Sequence, residues 1–303
     1  MRPLNVVFMG TPDYAATILK ALLLDQDLKT RLVVTQPDRP VGRKQTLTPP
    51  PVKTVALEAG IRILQPDRLE SIADELQALR PDAIIVAAYG QILSQRVLDI
   101  APCYNLHASL LPRYRGAAPV QAALLNGDAL TGMTVMKMAR GLDTGEMLGF
   151  NLVSAKNRNA ETLTDALAQS GAGLMVRVLR RMDAIRLLPQ HGCDASYVSK
   201  VKKQHGLIDF RRSALALARA FAAYTPWPGV YLESGLGLVE LAPMREAGRF
   251  EPGKILSIAK AGVEIGCEEG TVVIKTLQAP SKKPVSAFDY LNGRRLGIGD
   301  MLA

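Results

Sequence analysis

Cysteine is scarce in this chain of 303 residues, and its three cysteines (Cys103, Cys193 and Cys267) stand far apart. Neither C-x-x-C nor H-E-x-x-H occurs. A disulfide framework and a zinc site are therefore not expected, and no metal is. Thiols left reduced fit the cytosol. Long apolar runs are missing as well: none reaches the about 18 residues of a membrane span. The opening Met1-Arg2-Pro3-Leu4 enters a strand-like run directly, without the apolar stretch or cleavage site of a signal peptide. These absences predict a cytoplasmic protein with no membrane contact. Aromatics are only 5% of the chain, with one tryptophan, Trp227, which lies between two prolines and whose size favours a core anchor over a stacking platform.

What is present is ample apolar material, 48% of residues, in a length that fits about two domains. The formal charge is +9. It is unevenly placed: residues 177–212 carry nine Lys/Arg against three Asp, a local net of +6. A charge run is commonly a solvated face. Placed at a domain junction, this one is also a possible track for a phosphate backbone.

Along the chain, Leu4 to Met9 reads as a strand, Gly10-Thr11-Pro12 as a turn, and Ala15 to Leu24 as a helix with Ile18, Leu19, Leu22 and Leu23 on one face. That opening belongs to a doubly wound α/β domain. It is not a dinucleotide fingerprint, because G-T-P-D-Y-A lacks the second and third glycines. Arg31 to Thr35 and Asp82 to Ala87 read as further strands, with helices at 52–59 and 69–79. This β-α alternation predicts a Rossmann-like parallel sheet covered on both faces. Between them, residues 36–52 hold five prolines, one glycine and the cations Arg39, Arg43 and Lys44. Such a loop is irregular, either a binding loop or an ordinary insertion. Residues 185–205 show no periodicity and read as a linker. Beyond it, short runs alternate with glycine turns, the texture of a small OB-like β-barrel. The expected domains are 1–184, the linker 185–205, and 206–303.

The most informative stretch is 103–119, C-Y-N-L-H-A-S-L-L-P-R-Y-R-G-A-A-P. On a strand, Asn105 and His107 share a side, so an amide and an imidazole point at one spot where the strand ends. Alone, Asn-x-His is more often a structural pair than a reaction centre. Asp143, in the tight turn R-G-L-D-T-G at 140–145, is expected at the same end of the sheet. A carboxylate beside an imidazole fixes the ring and favours its proton. With an amide to hold an oxyanion, the set suits acyl transfer to an amine. Cys103 lies on the same strand face, but no basic neighbour activates it as a nucleophile.

N-L-H-A-S-L-L-P-R-Y-R-G-A-A-P followed by G-L-D-T-G-E-M-L resembles the folate-dependent formyltransferases. F-M-G-T-P-D-Y-A-A, T-Q-P-D-R-P-V-G-R, A-A-Y-G-Q-I-L and L-N-G-R-R-L extend the likeness over nearly the whole chain, in order. The resemblance implies 10-formyltetrahydrofolate as co-substrate and the amine of initiator methionyl-tRNA as acceptor. It implies catalysis by Asn105, His107 and Asp143, and folate contacts from Ser109, Leu110, Leu111 and Pro112, with Tyr89, Gly90 and Ile92 across the neighbouring strand end. It implies tRNA contacts from Arg39, Arg43 and Lys44 in the loop and from Lys200, Lys202 and Lys203 at the junction, in a monomer. Tyr14 departs from the family's frequent Phe, and Lys44 from a frequent Gly. Two rivals stay open on the residues. One is the same chemistry with a nucleotide-sugar amine or glycinamide ribotide as acceptor, against which the basic loop and junction argue. The other is a non-catalytic RNA- or folate-binding protein, against which the intact Asn105, His107 and Asp143 argue.

Overall fold

The computed structural model describes residues 2–42 and 45–302. They form two compact units, one of Met1–Pro119, Leu130–Ser154 and Thr164–Val198, the other of Val120–Ala129, Ala155–Leu163 and Ser199–Ala303.

The first unit starts with β1 (Leu4–Gly10), α1 (Asp13–Leu23) and β2 (Leu28–Val34). Ala15, Ile18, Leu19 and Leu22 are buried along α1, the spacing of one helical face. The 36–52 stretch is more ordered than its prolines predict. Arg39–Val41 (β3) and Thr46–Thr48 (β4) form a two-stranded hairpin. An isolated ribbon has only edges, so Pro40 costs it no ladder bond it needs. Then come α2 (Pro51–Glu58), β5 (Ile63–Leu64), α3 (Ala73–Leu79), β6 (Ala83–Ala87), α4 (Gln95–Leu98), β7 (Cys103–His107), β8 (Arg115–Gly116), α5 (Pro119–Asn126), β9 (Leu130–Lys137), β10 (Met147–Ser154), α6 (Ala160–Leu179) and β11 (Tyr197–Val198), of which α5 after Pro119 and the first turn of α6 belong to the second unit.

The main sheet has seven strands in the order β10-β9-β7-β6-β1-β2-β5. The five from β7 to β5 are parallel, and β9 and β10 add two antiparallel strands at one side. β6 is buried at every position, as a central strand covered on both faces must be. The chain runs outward from β1 to β2 and β5, then returns to β6 and β7 on the other side. Strand order therefore reverses at β1/β6. Pairing of Gly10 with Ala87 and of Val86 with Asn105 brings the carboxyl ends of β1, β6 and β7 to one edge. That edge is where doubly wound sheets hold ligands.

The 185–205 stretch is partly built into the first unit. Leu188 exchanges two backbone hydrogen bonds with Met147, at 2.8 and 2.9 Å, and β11 pairs in parallel with β8. Absence of periodicity conceals such pairing because a two-residue strand is too short to show any.

The second unit contains α7 (Ala214–Tyr224), capped by Ser213, then β12 (Val230–Tyr231), β13 (Gly237–Arg245), β14 (Ile255–Ala259), β15 (Gly262–Gly266), β16 (Thr271–Gln278), β17 (Val285–Ser286) and α8 (Ala287–Arg294). Its strands make a six-stranded antiparallel sheet, β12-β13-β16-β15-β14 with β17 on β16. This is the smaller β unit expected from the glycine-punctuated runs. Leu217, Leu238, Ile265, Ile274, Leu277 and Leu291 are buried in it. Trp227 is not a core anchor: it is 57% exposed. It lies in the turn T-P-W-P-G after α7, where no helix or strand face directs it inward. Among the described residues, no helix is long and apolar enough to cross a membrane.

Candidate active site

The apolar run ending β6 and the mixed run of β7 emerge side by side, and the site is built on β7. His107 is 6% exposed and Asn105 is half-buried. The His107 ring is held from both sides. Its Nε2 lies 2.8 Å from the carbonyl oxygen of Tyr114, and its Nδ1 lies 3.6 Å from Oδ2 of Asp143. A carbonyl only accepts, so Nε2 is the donor in the contact with Tyr114. The Asn105 side chain has no hydrogen-bond partner among the described residues, which leaves a free amide donor beside the anchored ring.

Asp143 reaches His107 by a less direct route than two turns at one end of the sheet. β9 is antiparallel to β7, and the backbone N–H of Met138 donates to the carbonyl of Cys103 at 2.7 Å, at the starting end of β7. The 138–146 loop must then fold back along β7 to bring Asp143 to His107. Antiparallel pairing of β7 with β9, which strand periodicity does not specify, is the reason. Three features hold the loop. Asp143 sits at φ +52°, a left-handed conformation that Asp tolerates better than most residues. The Gly116 N–H donates to Asp143 Oδ2 at 2.8 Å. Gln190 Nε2 donates to the carbonyls of Asp143 and Gly145, at 3.0 and 2.7 Å. Gln190 Oε1 in turn accepts from Nε and Nη2 of Arg115, at 3.0 and 2.8 Å.

The S-L-L-P segment leaves β7 as a tight loop. Ser109 is fully buried, and its hydroxyl donates to the Arg113 carbonyl at 2.5 Å. Thr134 Oγ1 bridges the loop, donating to Ser109 O at 2.7 Å and accepting from Leu111 N–H at 3.2 Å. Ser109 is thus a loop former whose hydroxyl is engaged internally. Leu110 and Pro112 are half-buried, and Leu111 is buried. Across the gap, Tyr89 is 1% exposed, Gly90 is exposed at φ +89°, and Ile92 is 95% exposed. Burial pushes the Tyr89 phenol up to about 12, and its hydroxyl has no hydrogen-bond partner among the described residues. Its carbonyl accepts from Thr11 at 3.0 Å, which ties this loop to the end of β1.

Cys103 faces the same side of β7 as the site, but it is 2% exposed and burial pushes its thiol up to about 12. At neutral pH it carries no thiolate, so Cys103→Ala should keep wild-type turnover, measured as initial rates. A steep loss would reinstate a thiol route. No group of three or more His, Cys, Asp or Glu that could hold a metal occurs among the described residues.

Of the cations expected to meet nucleic acid, Arg39 is exposed on β3 and donates to Gln36 Oε1 at 3.3 Å. The hairpin's base is pinned by Lys53, which donates to both carboxylate oxygens of Asp38 at 2.8 and 2.7 Å. Arg43 and Lys44 lie outside the described residues. Lys200, Lys202 and Lys203 are all exposed in the second unit. The basic run is thinner than its count. α6 closes at Leu179, and Arg180 is taken up by Asp25 and Asp27 at 2.8 and 3.3 Å.

Sequence reasoning missed Gln190, Arg115 and Thr134. Each acts through backbone carbonyls or another side chain and leaves no periodic signal. Tyr14 was noted only as a departure. Its hydroxyl donates to the Leu106 carbonyl at 3.2 Å, which explains a tyrosine there: it supports β7 between Asn105 and His107.

Comparison with known proteins agrees with this architecture. Residues 4–179 match the family profile described as formyl transferase, and residues 200–295 match that of the formyl transferase C-terminal domain. The chain is similar to the methionyl-tRNA formyltransferase of Wolinella succinogenes, 49% identical over 99% of each chain. It is likewise similar to that of a Nitratiruptor species, 48% identical over 98% of this chain and 99% of the relative. The solved N-formyltransferase of Helicobacter canadensis shares the fold, with a TM-score of 0.68 at 17% identity over 90% of this chain and 99% of that one. A buried His–Asp pair beside a free amide, at the carboxyl edge of a sheet that matches a family profile from β1 to α6, settles the assignment: this chain belongs to the formyl transferase family.

Proposed function

We propose that this protein transfers the formyl group of 10-formyltetrahydrofolate to the free amino group of the methionyl moiety of initiator methionyl-tRNA, giving N-formylmethionyl-tRNA. The observation that carries it is nearly full-length relatedness to enzymes of that name, together with the His107–Asp143 contact and Asn105 two residues before His107 on the same side of β7. The same reading places it in the cytosol, as a monomer.

Asn105, His107 and Asp143 are the catalytic residues in this account. As the amine nitrogen attacks the formyl carbon, the carbonyl oxygen becomes an oxyanion, and the Asn105 amide donates to it. His107 joins as donor once its Nε2–H exchanges the Tyr114 carbonyl for that oxygen. Asp143 holds the ring from the Nδ1 side and receives the proton that the amine loses, through water. Collapse of the tetrahedral centre breaks the bond to N10, which takes up that proton from Asp143 through water and leaves as tetrahydrofolate. Electrostatic stabilisation of this kind needs no covalent intermediate.

The strand ends fit a flat co-substrate. Beyond its chain neighbours, Gly90 has no atom of the described residues within 4 Å of where a Cβ would stand, and Ile92 offers an uncovered apolar side chain. We assign folate contact to these two, to Tyr89, and to the Ser109–Pro112 loop, with Ser109 and Tyr89 shaping rather than lining it. The acceptor end is assigned to the 36–52 stretch, through Arg39, Arg43 and Lys44, and the tRNA backbone to Lys200, Lys202 and Lys203.

The test offers the purified protein 10-formyltetrahydrofolate with methionyl-tRNA, glycinamide ribotide and an amino-sugar nucleotide in separate reactions. Formylation of the tRNA alone is expected. Formylation of a small acceptor without the tRNA overturns the proposal.

A further inference from the structure

The 185–198 segment carries a residue whose side chain does nothing for its own backbone and everything for the Asp143 loop. Gln190 is half-buried, and all four of its hydrogen bonds point away from its own segment. Its Nε2 group spans two carbonyls, those of Asp143 and Gly145, on either side of Thr144. The clamp thus grips the one residue of this turn that carries the carboxylate, at a backbone conformation (φ +52°) that the chain does not adopt without support.

The other end of Gln190 is anchored unusually. Arg115 is 5% exposed, yet no carboxylate lies within 4 Å of it among the described residues. Its guanidinium meets Gln190 Oε1 twice and the Tyr197 hydroxyl at 2.9 Å, and packs over the Tyr197 ring at 5.6 Å. A buried cation without an ion pair is costly unless its donors are satisfied. Here the satisfying group is a neutral amide, and a cation bonded to the amide oxygen strengthens the amide's own N–H donors. The next residue, Gly116, donates its N–H to the Asp143 carboxylate. Arg115 and Gln190 therefore reach Asp143 from two sides, one through Gly116 and the other through the two carbonyls.

We propose that Gln190, anchored by Arg115, is a positioning residue that sets the Asp143 carboxylate against His107. This rests on the assignment of Asp143 to the reaction given above. At 3.6 Å the Asp143–His107 contact is already long, so a small retreat of the turn breaks it.

The experiment uses the full chain with Gln190→Ala and Gln190→Glu. The second keeps an acceptor for Arg115 but removes both donors to the turn. Both variants are expected to lower kcat by about 10- to 100-fold, the effect of an ångström-scale displacement of a reacting group, with KM for tRNA and folate unchanged; the melting temperature should hold in Gln190→Glu and fall in Gln190→Ala, which leaves the buried Arg115 without its acceptor. Introduced into Asp143→Ala, Gln190→Ala should cost nothing further, whereas a merely structural role would lower activity in both backgrounds. A second readout needs no turnover: the ¹⁵N imidazole resonances of His107, assigned by their loss in His107→Ala, should shift in both Gln190 variants. Wild-type kcat and unmoved resonances overturn the proposal, as does full activity of Gln190→Glu. Failure of the wild-type protein to formylate methionyl-tRNA would instead overturn the function, and the resonances would still test the clamp.

Discussion

Replacing Asn105 with alanine should lower the turnover of methionyl-tRNA formylation by about 10²- to 10³-fold, the effect of losing one oxyanion donor. Binding of the tRNA should be unchanged. The geometry argues for kcat rather than KM. Asn105 has no partner in the free protein among the described residues, so its removal disturbs no internal bond. Its amide gains most when negative charge develops on the formyl oxygen, and such an interaction lowers the barrier without tightening the ground state. Asp143→Ala should be impaired to a comparable degree for a different reason: it releases the Nδ1 side of His107. If the three residues act as a unit, as the proposed mechanism requires, the Asn105→Ala/Asp143→Ala double variant should fall well short of the product of the single losses. Initial rates at saturating co-substrate, beside a filter-binding titration of the tRNA, check this. A raised KM at constant kcat would move Asn105 from the chemistry to binding.

The second large effect is steric. Gly145→Ala should destabilise the protein by about 2 kcal/mol or more and remove activity with it. A Cβ at Gly145 would lie 1.7 Å from the carbonyl oxygen of Lys137 and 2.9 Å from its carbon. Both obstacles are backbone of β9, which is paired with β7 and β10 and has no side chain to swing aside. The turn must move instead, and Asp143 moves with it. Gly192→Ala is the control, since beyond the chain neighbours none of the described residues comes within 4 Å of a Cβ there. Thermal melts of the two variants should separate clearly, with Gly192→Ala at the wild-type midpoint. Equal midpoints would mean that the turn tolerates a side chain and that its close approach to β9 is not what fixes Asp143.

These expectations divide along the line between what the sequence discloses and what it hides. The parallel core was legible because β1 and β6 are short apolar runs followed by turns and helices, a pattern set by burial on both faces. Asn105 and His107 were legible because alternation along a strand puts them on one side. Asp143 was legible as a residue and illegible as a position: only the antiparallel β7–β9 register shows that its loop must travel back along β7. Trp227 was misplaced because size favours burial in general, while two flanking prolines hold this residue in a surface turn. The β3–β4 hairpin escaped because Pro40 argues against strands, though a ribbon of two edges accommodates it. Gln190 and Arg115 escaped for a deeper reason. Their work is done through carbonyls contributed by residues far away in sequence, and no local pattern encodes that.

The central claim is that a buried, doubly anchored His107 takes part in formyl transfer itself. Single-turnover formylation of methionyl-tRNA, with enzyme and 10-formyltetrahydrofolate both saturating, isolates that step from substrate binding and product release. The account predicts a rate for His107→Ala lower than wild type by about 10²-fold or more, with the tRNA bound as tightly as before. A single-turnover rate equal to wild type would contradict it.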